Sequence, residues 1–110
     1  MRVVVFGGAG FVGLNVVERL TREGHEVVAF DRRAVPAAFD AACTTVTGDV
    51  TAAADVAAAL RGADAVVHGA AITSDAAREA QEPRRVLDVN LMGFLNVVEA
   101  ARAADVRRVV

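Results

Sequence analysis

Apolar and polar positions follow two rhythms along this chain. Short uninterrupted runs, Val3-Val4-Val5-Phe6, Val27-Val28-Ala29-Phe30 and Ala65-Val66-Val67-His68, read as strands. Strands that are apolar throughout belong in a parallel sheet covered on both faces. Between them the period lengthens to that of a helix. From about Phe11 to Glu23, Gly13, Val16, Val17 and Leu20 share one face, with Asn15, Glu18, Arg19 and Arg22 opposite. Gly24 is placed to stop this helix. Cys43-Thr44-Thr45-Val46-Thr47 predicts a third strand, Thr-rich and suited to an outer position. Thr51 is placed to cap a helix over Ala52 to Arg61, with Val56 and Leu60 inward and Gly62 closing it.

A polar loop, Thr73 to Glu82, then leads to Pro83, a favourable first residue for the longest helix, which runs to about Ala104. Its apolar residues exceed the arc of about 100° that a surface helix needs, so two covered sides are expected: the sheet, and another helix or a second subunit. Asn90 falls inside that arc, close on the wheel to Val97 and Ala101. A buried amide without partners costs about 1–3 kcal/mol, so it requires a backbone, water or ligand partner. Val106-Arg107-Arg108-Val109-Val110 starts a fifth strand. With right-handed crossovers, the alternation predicts an α/β, Rossmann-type parallel sheet, order 3-2-1-4 plus the start of strand 5, with helices on both faces.

The chemistry concentrates where the first strand stops. Gly8, Gly10 and Gly13 satisfy G-x-G-x-x-G, and Gly7, Gly10 and Gly13 satisfy G-x-x-G-x-x-G. The early glycines let the backbone turn and approach a pyrophosphate, while Gly13 lets the helix pack closely on the strand. The free N–H groups and positive end of the helix suit the anionic bridge. Asp31 ends the second strand at the interval where a carboxylate accepts from the adenosine ribose. Arg32 and Arg33 admit two readings, contact with adenine or a 2′-phosphate, and simple solvation. Asp31 would face a 2′-phosphate with like charge, which favours NAD over NADP.

Composition narrows the classes. The chain has 110 residues, one domain or part of one, and 55% are hydrophobic, in keeping with a buried sheet. Net charge is −2 with no clustered basic face, which argues against nucleic-acid or membrane partners. The single cysteine, Cys43, excludes an internal disulfide and a cysteine-based metal site, and suits a reducing compartment. Met1-Arg2 and the uncharged run to Val17 imitate a signal peptide, but the glycine spacing and the amphipathic continuation fit a nucleotide site better. A cytoplasmic protein is expected. His25 reads as a solvated loop residue; His68, closing a buried strand, reads as structural rather than catalytic.

Three further segments, Gly48-Asp49-Val50, His68-Gly69-Ala70-Ala71 and Asn90-Leu91-Met92-Gly93-Phe94-Leu95-Asn96-Val97-Val98-Glu99-Ala100-Ala101, follow the glycine loop in order. Together with it they resemble the extended short-chain dehydrogenase/reductase family, the NAD-dependent epimerases and dehydratases of sugar nucleotides, over essentially the whole chain. The resemblance implies Phe11 and Val12 at the pyrophosphate, Asp31 and Arg32 at the adenosine ribose, and Asp49 and Val50 bracketing the adenine, with Asp49 reading its amino group. It puts Ala70 and Ala71 on the path to the nicotinamide, Ile72 and Thr73 beside it, and Asn90 near its end. With Gly7, Gly10 and Gly13, these are the expected cofactor-binding residues. It also implies a homodimer through the helix 83–104.

The family's chemistry uses a Ser or Thr and a Tyr-x-x-x-Lys pair, and this chain contains neither tyrosine nor lysine. Residues 1–110 are therefore expected to be the NAD(P)-binding N-terminal part of such an enzyme, without the catalytic and substrate-binding region and inactive alone. The alternatives are a non-catalytic dinucleotide-binding module or redox sensor, and a truncated gene product.

Overall fold

The computed structural model describes residues 1–40, 42–73 and 75–110. Chain order is β1 (Arg2–Phe6), α1 (Phe11–Arg22), β2 (Glu26–Asp31), α2 (Ala37–Asp40), β3 (Thr44–Thr47) and α3 (Ala53–Ala59). There follow β4 (Ala65–His68), α4 (Ala76–Gln81), α5 (Pro83–Leu87), a π-helical turn (Asp88–Met92), α6 (Gly93–Ala103) and β5 (Arg108–Val109). The strands form one parallel sheet in the order β3-β2-β1-β4-β5, with Phe6 beside Phe30 on one side and His68 on the other.

Strand alternation splits the core between the two faces. Val3, Val5, Val27 and Ala29 are buried with Val17, and Val16 and Leu20 pack against them, so this face carries α1. Val4, Phe6, Val28, Phe30 and Val66 are buried with Val56, Leu60, Val97 and Ala101, so the opposite face carries α3 and α6. Continuous apolar strands follow directly, because every position meets one helical layer or the other.

Four local expectations are corrected. Cys43 precedes its strand, which begins at Thr44. Thr51 does not cap α3: Ala52 is the N-cap and makes no side-chain bond, because the Thr51 hydroxyl donates instead to Asp49 Oδ1 at 2.8 Å. The polar stretch after Thr73 is not all loop. Asp75 accepts from Arg78 N at 2.9 Å and caps α4, while Ser74 lies outside the described residues. The connection after Arg33 likewise includes the short α2.

The long helix is also interrupted. Between α5 and α6, the π turn admits an additional residue, which re-phases the wheel by about 100°. Val89 then lies over the core, 7% exposed, and Asn90 is exposed rather than buried. Its amide is still satisfied, but by a loop and not by the helix interior: Nδ2 donates to the Ile72 carbonyl at 3.0 Å, and Oδ1 accepts from Ile72 N–H at 2.7 Å.

Candidate functional site

The strands' C-terminal ends open onto a cavity of about 630 Å³. Its walls come from Gly7, from Phe30 to Arg33, from Gly48 to Val50 and from Ala70 to Thr73, with Arg78, Arg85 and Val89 completing it. Seven expected residues thus meet here: Gly7, Asp31, Arg32, Asp49, Val50, Ala70 and Ala71. Gly10, Phe11, Val12, Gly13 and Asn90 do not line it.

The glycine loop is largely self-satisfied. Gly7 and Gly8 N–H groups donate to the Phe30 carbonyl at 2.9 and 3.1 Å, and Gly10 N–H to the Gly7 carbonyl at 3.0 Å. Gly7 sits at φ +80°, the left-handed region that glycine enters without penalty. A Cβ on Gly13 would overlap the Gly7 carbonyl oxygen, so Gly13 sets the approach of α1 to β1. Among the described residues, no backbone acceptor is found for the N–H groups of Phe11, Val12 and Gly13, the first of α1. The donors left over for an anion are therefore at the helix start, beside the cavity's glycine wall, where the helix dipole adds to them. The side chains of Phe11 and Val12 are exposed.

Asp31 reaches back into the loop. Oδ2 accepts from Ala9 N–H at 3.1 Å, and Oδ1 from Arg33 N–H at 3.0 Å, with Arg33 Nε 3.6 Å away. A carboxylate has about four acceptor positions, so two backbone bonds leave room for ribose hydroxyls.

Asp49 is held still more closely. Oδ1 accepts from Thr51 N–H at 2.9 Å and from the Thr51 hydroxyl, while Oδ2 faces Arg32 Nε at 3.5 Å and Arg85 Nη2 at 3.6 Å. Burial opposes its ionisation, but the two Thr51 bonds and the Arg85 and Arg32 charges outweigh that, holding its pKa below the ordinary 3.8. Val50 is clamped from above by α6: Asn96 Nδ2 donates to its carbonyl at 2.9 Å, and a Cβ on Gly93 would stand 2.7 Å from Val50 Cγ2. Ala70 to Thr73, the opposite wall, is fixed by the Asn90 bracket on Ile72.

Four arginines, Arg32, Arg33, Arg78 and Arg85, face two carboxylates, Asp31 and Asp49, around this cavity. The excess of positive charge suits an anionic ligand. Arg78 and Arg85 were not singled out by sequence reasoning. Nothing in their spacing separates them from the other ten arginines; only the folding-back of α4 and α5 brings them to the groove. His68, by contrast, lies behind the wall, between Phe6 and Phe94 with ring centroids 6.3 and 5.3 Å away. Burial pushes its pKa below 6.5, and its Nδ1 has no hydrogen-bond partner among the described residues.

Comparison with known proteins agrees with this geometry. The sequence model of the NAD dependent epimerase/dehydratase family matches residues 3–110. A 3-beta-hydroxysteroid dehydrogenase of Mycolicibacterium neoaurum is 45% identical over 112 residues, covering 99% of this chain and 31% of the relative. A dTDP-glucose 4,6-dehydratase of Mycobacterium tuberculosis is 36% identical, covering 97% of this chain and 34% of the relative. The chain thus spans about a third of the length of the curated relatives it matches. Among solved structures, the Thermus thermophilus UDP-glucose 4-epimerase complex with NAD superposes with TM-score 0.84 at 33% identity, over 99% of this chain and 36% of that one. A short-chain dehydrogenase/reductase superfamily protein of Agrobacterium tumefaciens with bound NAD gives TM-score 0.87 at 32% identity, over 99% and 31%.

Proposed function

The chain belongs to the NAD-dependent epimerase/dehydratase family, and from that premise we propose that it is the NAD-binding part of an enzyme that transfers hydride to and from a sugar nucleotide. One observation carries this. The Asp31 carboxylate and the Asp49-Val50 turn stand around one positively charged cavity at the strand ends, and the N–H groups of Phe11, Val12 and Gly13, without a backbone acceptor among the described residues, lie beside its Gly7 wall. A dinucleotide laid along it places its pyrophosphate on the Phe11 and Val12 amides and its adenosine ribose on Asp31 and Arg32. Asp49 and Val50 then bracket the adenine, and Ala70 and Ala71 flank the nicotinamide side. The ribose contact on Asp31 favours NAD over NADP.

When bound, the cofactor supplies the hydride acceptor. The chain's own residues bind and orient it, and with neither Tyr nor Lys among them these 110 residues alone do not turn over substrate. A cytoplasmic setting fits NAD use and a chain with a single cysteine.

A second substrate reading is a 3-hydroxysteroid, favoured by the higher identity to the hydroxysteroid dehydrogenase, 45% against 36% for the dehydratase. Both substrates present a secondary alcohol carbon, so the cofactor half serves either. Coding sequence beyond Val110 that carries Tyr-x-x-x-Lys in frame supports the catalytic reading, whereas an immediate stop favours a non-catalytic dinucleotide-binding module. For the cofactor site, titration of the 110-residue chain with NADH, followed by nicotinamide fluorescence, should saturate. Asp31→Ala should weaken binding by roughly tenfold, the worth of a hydrogen bond to a charged group. Equal binding by both proteins rejects the ribose contact.

A further inference from the structure

We propose that Arg85 is a positioning residue that makes the base-binding end of the groove selective for a 6-aminopurine over a 6-oxopurine, acting through Asp49. The proposal rests on the reading of the groove as a dinucleotide site and concerns a residue of α5 that the glycine loop and the β2 acid do not implicate.

The geometry divides the labour between the two oxygens of Asp49. Oδ1 is filled by both Thr51 donors. Oδ2 faces Arg32 and Arg85 at 3.5 and 3.6 Å, beyond the usual 2.7–3.2 Å of an N–H···O bond. The two guanidinium groups therefore balance the charge on Oδ2 without filling its lone pairs, and a third donor has a place there. An exocyclic amino group supplies that donor; a carbonyl oxygen at the same position of the purine meets a carboxylate charge instead.

Of the two arginines, Arg85 is the better placed to hold this arrangement. The Arg32 side chain is 63% exposed and its charge is screened by solvent, whereas Arg85 is 32% exposed beside an Asp49 that is 30% exposed. The backbone around Arg85 is also fixed relative to the base-binding turn. Beyond the π turn, Gly93 abuts the Val50 side chain and Asn96 bonds the Val50 carbonyl. The remaining charged group against Asp49 is Asp55 of α3, whose Oδ2 accepts from the Asp49 N–H at 3.2 Å. Asp31, Arg33 and Arg78 share the cavity. Losing Arg85 leaves Asp49 with Asp55 behind it and only the solvated Arg32 in front, so Asp49 takes up a proton more easily. A protonated carboxyl donates to a carbonyl as readily as it accepts from an amine, and selectivity falls.

The test is calorimetric titration of the 110-residue chain with NAD and with nicotinamide hypoxanthine dinucleotide between pH 4 and 8, its fold monitored by circular dichroism. The wild type should prefer NAD by about tenfold. Towards the acid end of that range Arg85→Ala should bring the two ligands within roughly threefold, and it should lose NAD affinity at a higher pH than the wild type as pH falls. Arg85→Lys should restore the preference, and Arg84→Ala, on the exposed neighbour, should match the wild type. A uniform loss for both ligands, or an unchanged ratio and pH midpoint in Arg85→Ala, overturns the proposal while leaving NAD binding intact. Failure of the wild type to bind NAD overturns the dinucleotide reading and this proposal with it. Should Arg85→Ala lose its fold, Arg85→Gln is judged by the same two criteria.

Discussion

Individual side chains around the groove do different work from what their types suggest. Asp31 and Asp49 are both carboxylates at strand ends, yet Asp31 braces the glycine loop through Ala9 and Arg33, while Asp49 folds onto Thr51. His68 Nδ1 has no such partner among the described residues. It packs between two phenyl rings, and burial holds its pKa below 6.5. The unfolded chain then binds more protons than the folded one as pH falls below 6.5, so stability must drop over that window. His68→Leu removes the proton-binding group and keeps an apolar side chain. Melting followed by circular dichroism should show a smaller fall in Tm between pH 7 and pH 5 for the variant than for the wild type. An identical slope in both proteins would show that His68 binds its proton equally well folded and unfolded, and that burial does not depress its pKa. Asp49 acts in the same direction but further down: its pKa lies below 3.8, so the stability it contributes is lost as pH falls through that lower range.

At the level of elements, the helix after Pro83 has the largest consequence for the site. Gly93 is the point of closest approach, where an added methyl would meet Val50 Cγ2 at 2.7 Å and Cβ at 3.2 Å. Gly93→Ala must move the helix or the turn, and overpacking of this kind costs about 1–3 kcal/mol. The variant should melt lower and bind NADH several-fold more weakly, because Val50 and Asp49 shift together. Unchanged affinity alongside a lowered Tm would separate the turn from the binding site. The strands and α1 were legible in the sequence because their apolar positions alone decide their burial: Val17 and Leu20 face the sheet as their spacing requires. The π turn was not legible. A wheel assumes one period throughout, and the additional residue between α5 and α6 exchanges Asn90 for Val89 at the core. The α4 cap at Asp75 was equally hidden, since a polar stretch of six helical residues with no buried face carries no periodic signal.

For the molecule as a whole, sheet order followed from the crossover rule, and the groove's position from the switch between β1 and β4. The groove's charge did not, because it depends on helices that return over the strand ends only in three dimensions. The same holds for the outer face of the helical layer. Leu87, Leu91, Met92, Phe94, Leu95 and Val98 are each between 37% and 58% exposed, more apolar surface in one place than isolated exposed residues produce. The expectation that this helix is covered on two sides is met on the sheet side, and the other side is exposed in these 110 residues, which span about a third of the relatives' length. The expected homodimer would use this exposed side, since a two-fold contact buries the same patch of both copies. Sedimentation of the 110-residue chain should then show concentration-dependent association. A double variant, Leu91→Glu with Leu95→Glu, should sediment as a monomer while still binding NADH, because neither residue lines the groove. A wild type that stays monomeric at high concentration would assign the face to a different covering partner, and the cofactor site would stand unaffected on the other side of the helix.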